Sequence, residues 1–302
     1  MPKLIFVTGK GGVGKSALTA ALASALSEDG LPPVRPRVCV VELEETRMSD
    51  FFGLSPIDYA GKKTSTKISL LNLNAKDCFE EYAARFIPKA ALIFIKNRWV
   101  HHFIDATPGL KEILILGKIA SLLEENAADF LIVDAPATGH TISLLQAPRI
   151  ALGALRHGPL KATVEKILNT LEGDNPIHFV LVTRLENFIV HETLELYEHL
   201  SQSFPASPLT LWVHGQQDFI NIPSPLLSDL PKLAEPLLQL LKETEAKRER
   251  QEKLFAQIQK EIKDPIAQTK WIDNVEKETD LRKILSKELK PNLWKHFSKR
   301  NA

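Results

Sequence analysis

Eight residues, Gly9-Lys10-Gly11-Gly12-Val13-Gly14-Lys15-Ser16, limit this chain to few folds. The apolar run Leu4-Ile5-Phe6-Val7 leads into them, and from Ala17 an alanine- and leucine-rich segment follows. The pattern reads as strand, glycine loop, helix, and the loop matches G-x-x-x-x-G-K-[ST] in the context that motif requires. Glycines let successive backbone N–H groups converge on a triphosphate, which also meets the positive end of the helix that begins there. Gly9 to Ala17 are therefore the expected nucleotide contacts. Lys15 is expected to reach the β- and γ-phosphates of ATP, and the Ser16 hydroxyl to ligate Mg²⁺. The loop carries a second lysine, Lys10, that this motif does not ask for.

Downstream, near-continuous apolar runs recur at residues 37–43, 68–74, 130–134, 178–183 and 209–214, the mark of strands buried on both faces. Helix-like segments separate most of them. That alternation predicts an α/β fold, a P-loop NTPase with a mostly parallel doubly wound sheet, as a single domain over residues 1–302. Ligands of such sheets sit at the carboxyl ends of the strands, where Glu44, Asp134, Thr183 and His214 fall. Residues 76–128 and about 148–172 depart from this rhythm and read as a small inserted helical subdomain over the strand tips. Its stretch Ala90-Ala91-Leu92-Ile93-Phe94-Ile95 either packs on its neighbours or leaves a partly exposed groove or dimer surface. Residues 242–263 are charge-dense and read as a solvated helix.

With 38 basic against 37 acidic side chains, the net charge of +1 gives no support for a nucleic-acid partner. Cys39 and Cys78 form no C-x-x-C pair, so a reducing compartment and no zinc site are expected. No apolar run approaches the roughly 18 residues of a membrane span and no signal peptide is read, so the expectation is a soluble, cytoplasmic protein. From Leu281 onward seven basic residues stand against one acid, Glu288, while Leu281, Ile284, Leu285 and Leu289 keep helical spacing. That helix either packs its apolar face on the body of the protein or makes transient contact with a membrane surface.

A second phosphate motif follows the run ending at Asp134. An aspartate closing a buried strand downstream of a P-loop holds Mg²⁺ through its coordination shell, and the N–H of Gly139 just beyond it can sense a γ-phosphate. The segment reads Asp134-Ala135-Pro136-Ala137-Thr138-Gly139-His140-Thr141, then Leu144-Leu145-Gln146-Ala147-Pro148. Here the chain resembles the ATPases of arsenite pumps and of tail-anchored membrane protein targeting. Their P-loop reads G-K-G-G-V-G-K-[ST], and their second switch reads close to D-T-A-P-T-G-H-T-L-x-L-L-x-x-P. Thr107-Pro108-Gly109-Leu110-Lys111-Glu112 is similar to the family's P-G-x-x-E, and Glu192-Thr193-Leu194-Glu195-Leu196 to its E-T-x-R-L helix. The resemblance implies a homodimer in which Lys10 reaches the partner subunit's phosphates. A cation arriving in trans suits developing phosphoryl charge and couples hydrolysis to dimer closure. The plainer reading of Lys10 is a solvent-exposed lysine.

The chain departs from that pattern at the first switch, D-P-A-H-x-x-S-D in the family. Alignment on Ser49-Asp50 puts Leu43 where the water-positioning aspartate belongs, and only a one-residue deletion brings Glu44 there. Glu44 is thus the expected catalytic carboxylate beside Lys10 and Asp134, and Asp50 keeps the second acidic position near the metal. His214 stands where the family has an adenine-contacting asparagine; it is either that contact or a satisfied strand-end histidine. Methionine-rich, zinc-clasp and thiolate features of the relatives are missing, so neither named activity transfers. The expectation is a Mg²⁺-dependent ATPase, gated as a homodimer, serving an unidentified protein client. A partitioning-type positioning ATPase and a nucleotide-gated binding protein with little turnover are the alternatives.

Overall fold

A computed structural model of the chain describes residues 2–28, 35–43, 47–66, 68–86, 88, 98–173, 176–216, 235–270, 272 and 275–289. Eight strands form one sheet: β1 Lys3–Gly9, β2 Val38–Leu43, β3 Lys62–Lys63, β4 Ser69–Leu73, β5 Phe130–Ala137, β6 His178–Thr183, β7 Leu209–Gln216 and β8 Ile266–Lys270. Their order is β3-β4-β2-β5-β1-β6-β7-β8, parallel throughout except for the β3–β4 pair. The strands predicted from apolar runs are the buried ones; β1, β2, β5 and β6 are buried along nearly their whole length. The two edges lack that signal. β3 is two lysines, and β8 alternates buried Ala267 and Thr269 with exposed Gln268 and Lys270. Polar edge strands protect a sheet from pairing with other chains.

The described helices are α1 Lys15–Glu28, α2 Met48–Phe52, α3 Ala75–Ala84, α4 Arg98–Ala106, α5 Leu110–Glu124, α6 Thr138–Ala154, α7 Pro159–Glu172, α8 Asn187–Ser203, α9 Glu235–Glu261 and α10 Glu278–Leu289. They cover both faces of the sheet, which makes the fold doubly wound. One core joins α1, α2 and α10 to the face carrying Ile5, Val7, Val40 and Ile132. The other joins α3, α5, α6, α7, α8 and α9 to the face carrying Phe6, Val41, Val133 and Phe179. The helices of residues 76–128 and 148–172 thus share one continuous core with the sheet; the stretch 90–95 lies outside the described residues.

One helix differs from its sequence reading, and another takes the first of its two expected placements. α9 is charge-dense but not solvated all round, since Leu254 and Ile258 are buried in the core, as is Ile262 just beyond the helix. α10 buries Leu285 and Leu289, and its Arg282 donates to the Phe51 carbonyl (2.8 Å) and to Ser24 Oγ (2.6 Å), so this basic helix is fixed on α1 and α2. Lys290 to Arg300 lie outside the described residues. No helix among the described residues is long and apolar enough to cross a membrane.

A candidate nucleotide site at the carboxyl ends of the strands

The chain leaves β1 toward β2 on one side, whereas β5 sends it across β1 to β6 on the other. A crevice opens at the carboxyl ends of the strands where the order reverses in this way. Here the loop from Gly9 to Gly14 caps β1, and α1 starts at Lys15. Val13 is buried and anchors the loop, while Gly11 and Gly12 are exposed. Two of its glycines are fixed by what lies against them. Gly9 has φ +146°, and a Cβ there would stand 2.2 Å from the Val182 carbonyl oxygen of β6. Gly14 has φ +98°, and a Cβ there would stand 2.6 Å from the His214 ring. Backbone at a neighbouring strand cannot give way, so a side chain at Gly9 would displace the loop.

A cleft of about 340 Å³ runs along this loop. Lys15, Ser16, Ala17 and the loop glycines line one wall, and Glu42 and Asp134 another. The sheet register brings these together: Val7 of β1 faces Asp134 of β5, which faces Glu42 of β2. Asp134 is buried and accepts from Thr19 of α1 at 3.1 Å. Glu42 is 2% exposed, and its Oε1 accepts from the backbone N–H groups of Arg47 (2.6 Å) and Met48 (3.0 Å) at the start of α2. Glu42 is thus a buried carboxylate near the end of β2 that lines the cleft beside Asp134. Glu44 lies outside the described residues. Asp50 is exposed on α2 and does not line the cleft.

Glu42 was legible in principle, because it nearly ends β2 as Asp134 nears the end of β5. The family pattern draws attention to the following residues instead.

The second motif is tied directly to β1. Thr8 and Thr141 hydroxyls are 2.8 Å apart, and Thr141 donates to the Pro136 carbonyl at 2.7 Å. Thr138 and Gly139 open α6 beside the P-loop, Gly139 exposed and with open space around its Cα.

The two loop lysines point to different places. Lys15 Nζ donates to the Lys10 carbonyl at 3.0 Å, so it curls back over its own loop. Lys10 does not line the cleft. Its ammonium stands 2.8 Å from Glu192 Oε2 and 3.5 Å from the centre of the Phe188 ring, both on α8. The Lys10 ammonium, helped by Thr138, holds the Glu192 carboxyl below the usual carboxylate range against the opposing effect of burial.

His214, at the end of β7, lies against Gly14, with its Nδ1 2.9 Å from Thr269 Oγ1 of β8. Burial pushes its pKa down to about 4, and the Arg184 guanidinium adds to that shift. Beyond it a second cavity, about 480 Å³, is lined by Arg184, Phe188, Gly215, Lys247 and Arg250. The cysteine thiols Cys39 and Cys78 are buried and line neither of these cavities, and burial raises both to about 12.

Comparison with known proteins agrees with this geometry. Residues 2–204 match the model of a family described as the anion-transporting ATPases. The chain is 32% identical over 215 residues to "ATPase BagA" of Mycobacterium tuberculosis, covering 66% of this chain and 61% of that protein. It is 26% identical over 273 residues to an "Arsenical pump-driving ATPase" of Escherichia coli, covering 76% of this chain and 46% of the relative. It is also 24% identical over 246 residues to "ATPase asna-1" of Caenorhabditis elegans, covering 66% and 70%. The chain therefore spans about three fifths of the length of the relatives it matches first.

Proposed function

The chain belongs to the anion-transporting ATPase family, and on that premise we propose that it hydrolyses ATP with Mg²⁺ as a nucleotide-gated homodimer. One observation carries the reading. Lys15, Ser16 and Asp134 line a single cleft, while Lys10, from the same loop, is directed away from it. A loop that needs one lysine for its own phosphates has a second to offer elsewhere.

Within the subunit, the P-loop N–H groups and the amino end of α1 receive the triphosphate, and Lys15 exchanges its contact with the Lys10 carbonyl for the β/γ-phosphates. The cleft presents oxygen donors, Ser16, Glu42 and Asp134, which is the ligand chemistry Mg²⁺ prefers. Ser16 and Asp134 would hold the ion, which when bound neutralises charge on the β- and γ-oxygens. The nucleoside end extends toward the carboxyl ends of β6 and β7, past His214, into the cavity bounded by Arg184 and Lys247. Gly139 offers its N–H to the γ-phosphate, so the start of α6 distinguishes ATP from ADP. Water orientation falls to the first switch, where Glu42 anchors α2 beside Asp134 and Glu44 follows.

Closure of two subunits brings Lys10 of each to the partner's phosphates. α6 is linked to α8 through Gln146–His199 (3.0 Å) and Arg149–Ser203 O (2.7 Å), so its movement reaches the helical layer. Exposed Phe86 and Phe103 on that layer are the surface offered to a protein client. The test is ATP hydrolysis and ATP-dependent dimerisation of wild type and Lys10→Ala. The expected result is a loss of about 10²-fold or more in turnover with dimerisation weakened, as for removal of a transition-state cation. Equal hydrolysis and dimerisation in the variant would overturn the proposal.

A further inference from the structure

Phe188 and Glu192 are four residues apart on α8, one turn of the same helix face. Both meet the Lys10 ammonium, the ring at 3.5 Å and the carboxylate at 2.8 Å, while 72% of Phe188 remains exposed. Thr138, the first residue of α6, adds to Lys10 in holding the Glu192 carboxyl below the usual carboxylate range. One carboxylate on a surface helix therefore takes the ammonium of the P-loop's second lysine.

A loop carrying two lysines next to a triphosphate has an electrostatic problem. Each ammonium is drawn to the nearest phosphate, which for Lys10 is the one in its own cradle. A lysine spent in cis gives nothing to a second subunit. We infer that Glu192, backed by the Phe188 ring, is a positioning residue that holds Lys10 out of its own phosphate site and so keeps it available for a partner's. This rests on the dimer reading above and adds to it the residues that decide between cis and trans use of the lysine.

The arrangement accounts for three features together. Lys10 is absent from the cleft lining although its neighbours Gly11 and Gly12 belong to it. Glu192 is placed to compete for the ammonium without reaching the cleft itself. It also gives the exposed Phe188 ring a partner, since the Lys10 ammonium stands 3.5 Å from its centre. The strength of the hold is modest, as a release mechanism needs. A partly exposed ion pair and one cation–π contact bias an equilibrium by about threefold to tenfold.

The experiment titrates the Mg²⁺ complex of the β,γ-imido analogue of ATP into protein kept dilute enough to remain monomeric. Glu192→Gln is expected to bind it about threefold to tenfold more tightly than wild type, because the released Lys10 reaches its own site. The gain should vanish in Glu192→Gln/Lys10→Ala, and Phe188→Leu should show a smaller gain in the same direction. At higher concentration, Glu192→Gln should dimerise less readily with ATP than wild type. An unchanged monomer affinity in Glu192→Gln, or a gain that persists without Lys10, overturns the inference. If Lys10→Ala alone dimerises as wild type does, the dimer reading fails, and the monomer titration still decides whether Glu192 restrains Lys10.

Discussion

The two sides of β1 hold the nucleotide loop by different means. Toward β5 and β2 the contacts are between functional side chains: Thr19 with Asp134, Thr8 with Thr141, and Glu42 beside Asp134 in register. Toward β6 and β7 the loop is held by close approach. The Val182 carbonyl lies under Gly9, the His214 ring under Gly14, and α8 takes the ammonium of Lys10. On the proposed function the first side would do chemistry on a phosphate, while the second fixes the shape of the loop and the place of Lys10. Substitutions on the two sides should therefore fail in different ways.

The largest effect is expected from Lys15→Ala. Lys15 donates to the carbonyl of Lys10 within its own loop, and its replacement should leave the fold stable while hydrolysis falls by about 10²- to 10³-fold. Steady-state turnover alongside a denaturant midpoint measures both. A substantial drop in the midpoint would place Lys15 with the shape-holding side and break the comparison.

Gly14→Ala should lower stability as well. Its positive φ and its contact with His214 together cost about 2–4 kcal/mol of stability. The double variant Gly14→Ala/His214→Ala removes the clash and leaves the backbone strain, so chemical denaturation should show partial recovery. No recovery would mean that φ alone fixes this glycine.

The smallest effect is a pH dependence. His214 is folded with a pKa of about 4, below its ordinary 6.5. The unfolded chain therefore binds the proton first as pH falls, so stability is full above about 6.5 and is lost progressively from there to about 4. The loss amounts to about 3 kcal/mol at most. Unfolding free energies at pH 7 and pH 5, for wild type and His214→Gln, test this; the variant should show the shallower decline. Equal slopes would remove His214 from the set of groups that hold the loop in a pH-dependent way.

Much of the first side was legible in the sequence. The P-loop, Asp134 and Gly139 sit in motifs whose spacing encodes a local backbone form, and six apolar runs marked the six long strands at the centre. The edges were not legible, because β3 is two lysines and β8 carries polar residues at every second position. The buried stripe Leu254, Ile258 and Ile262 was hidden by the charges around it. Glu42 belongs to the same class of signal as Asp134, a carboxylate near the end of an apolar strand.

By itself the sequence determined that a glycine loop follows a buried strand, that an aspartate ends a parallel neighbour, and that the sheet is doubly wound. These follow from local periodicity and short spacings, which the backbone reads over a few residues. Only the tertiary structure decided what meets the loop. His214 lies 200 residues beyond Gly14, and Glu192 lies 182 beyond Lys10. Those meetings depend on which strand lies beside β1 and which face α8 turns toward it, and no local pattern in either segment carries that information.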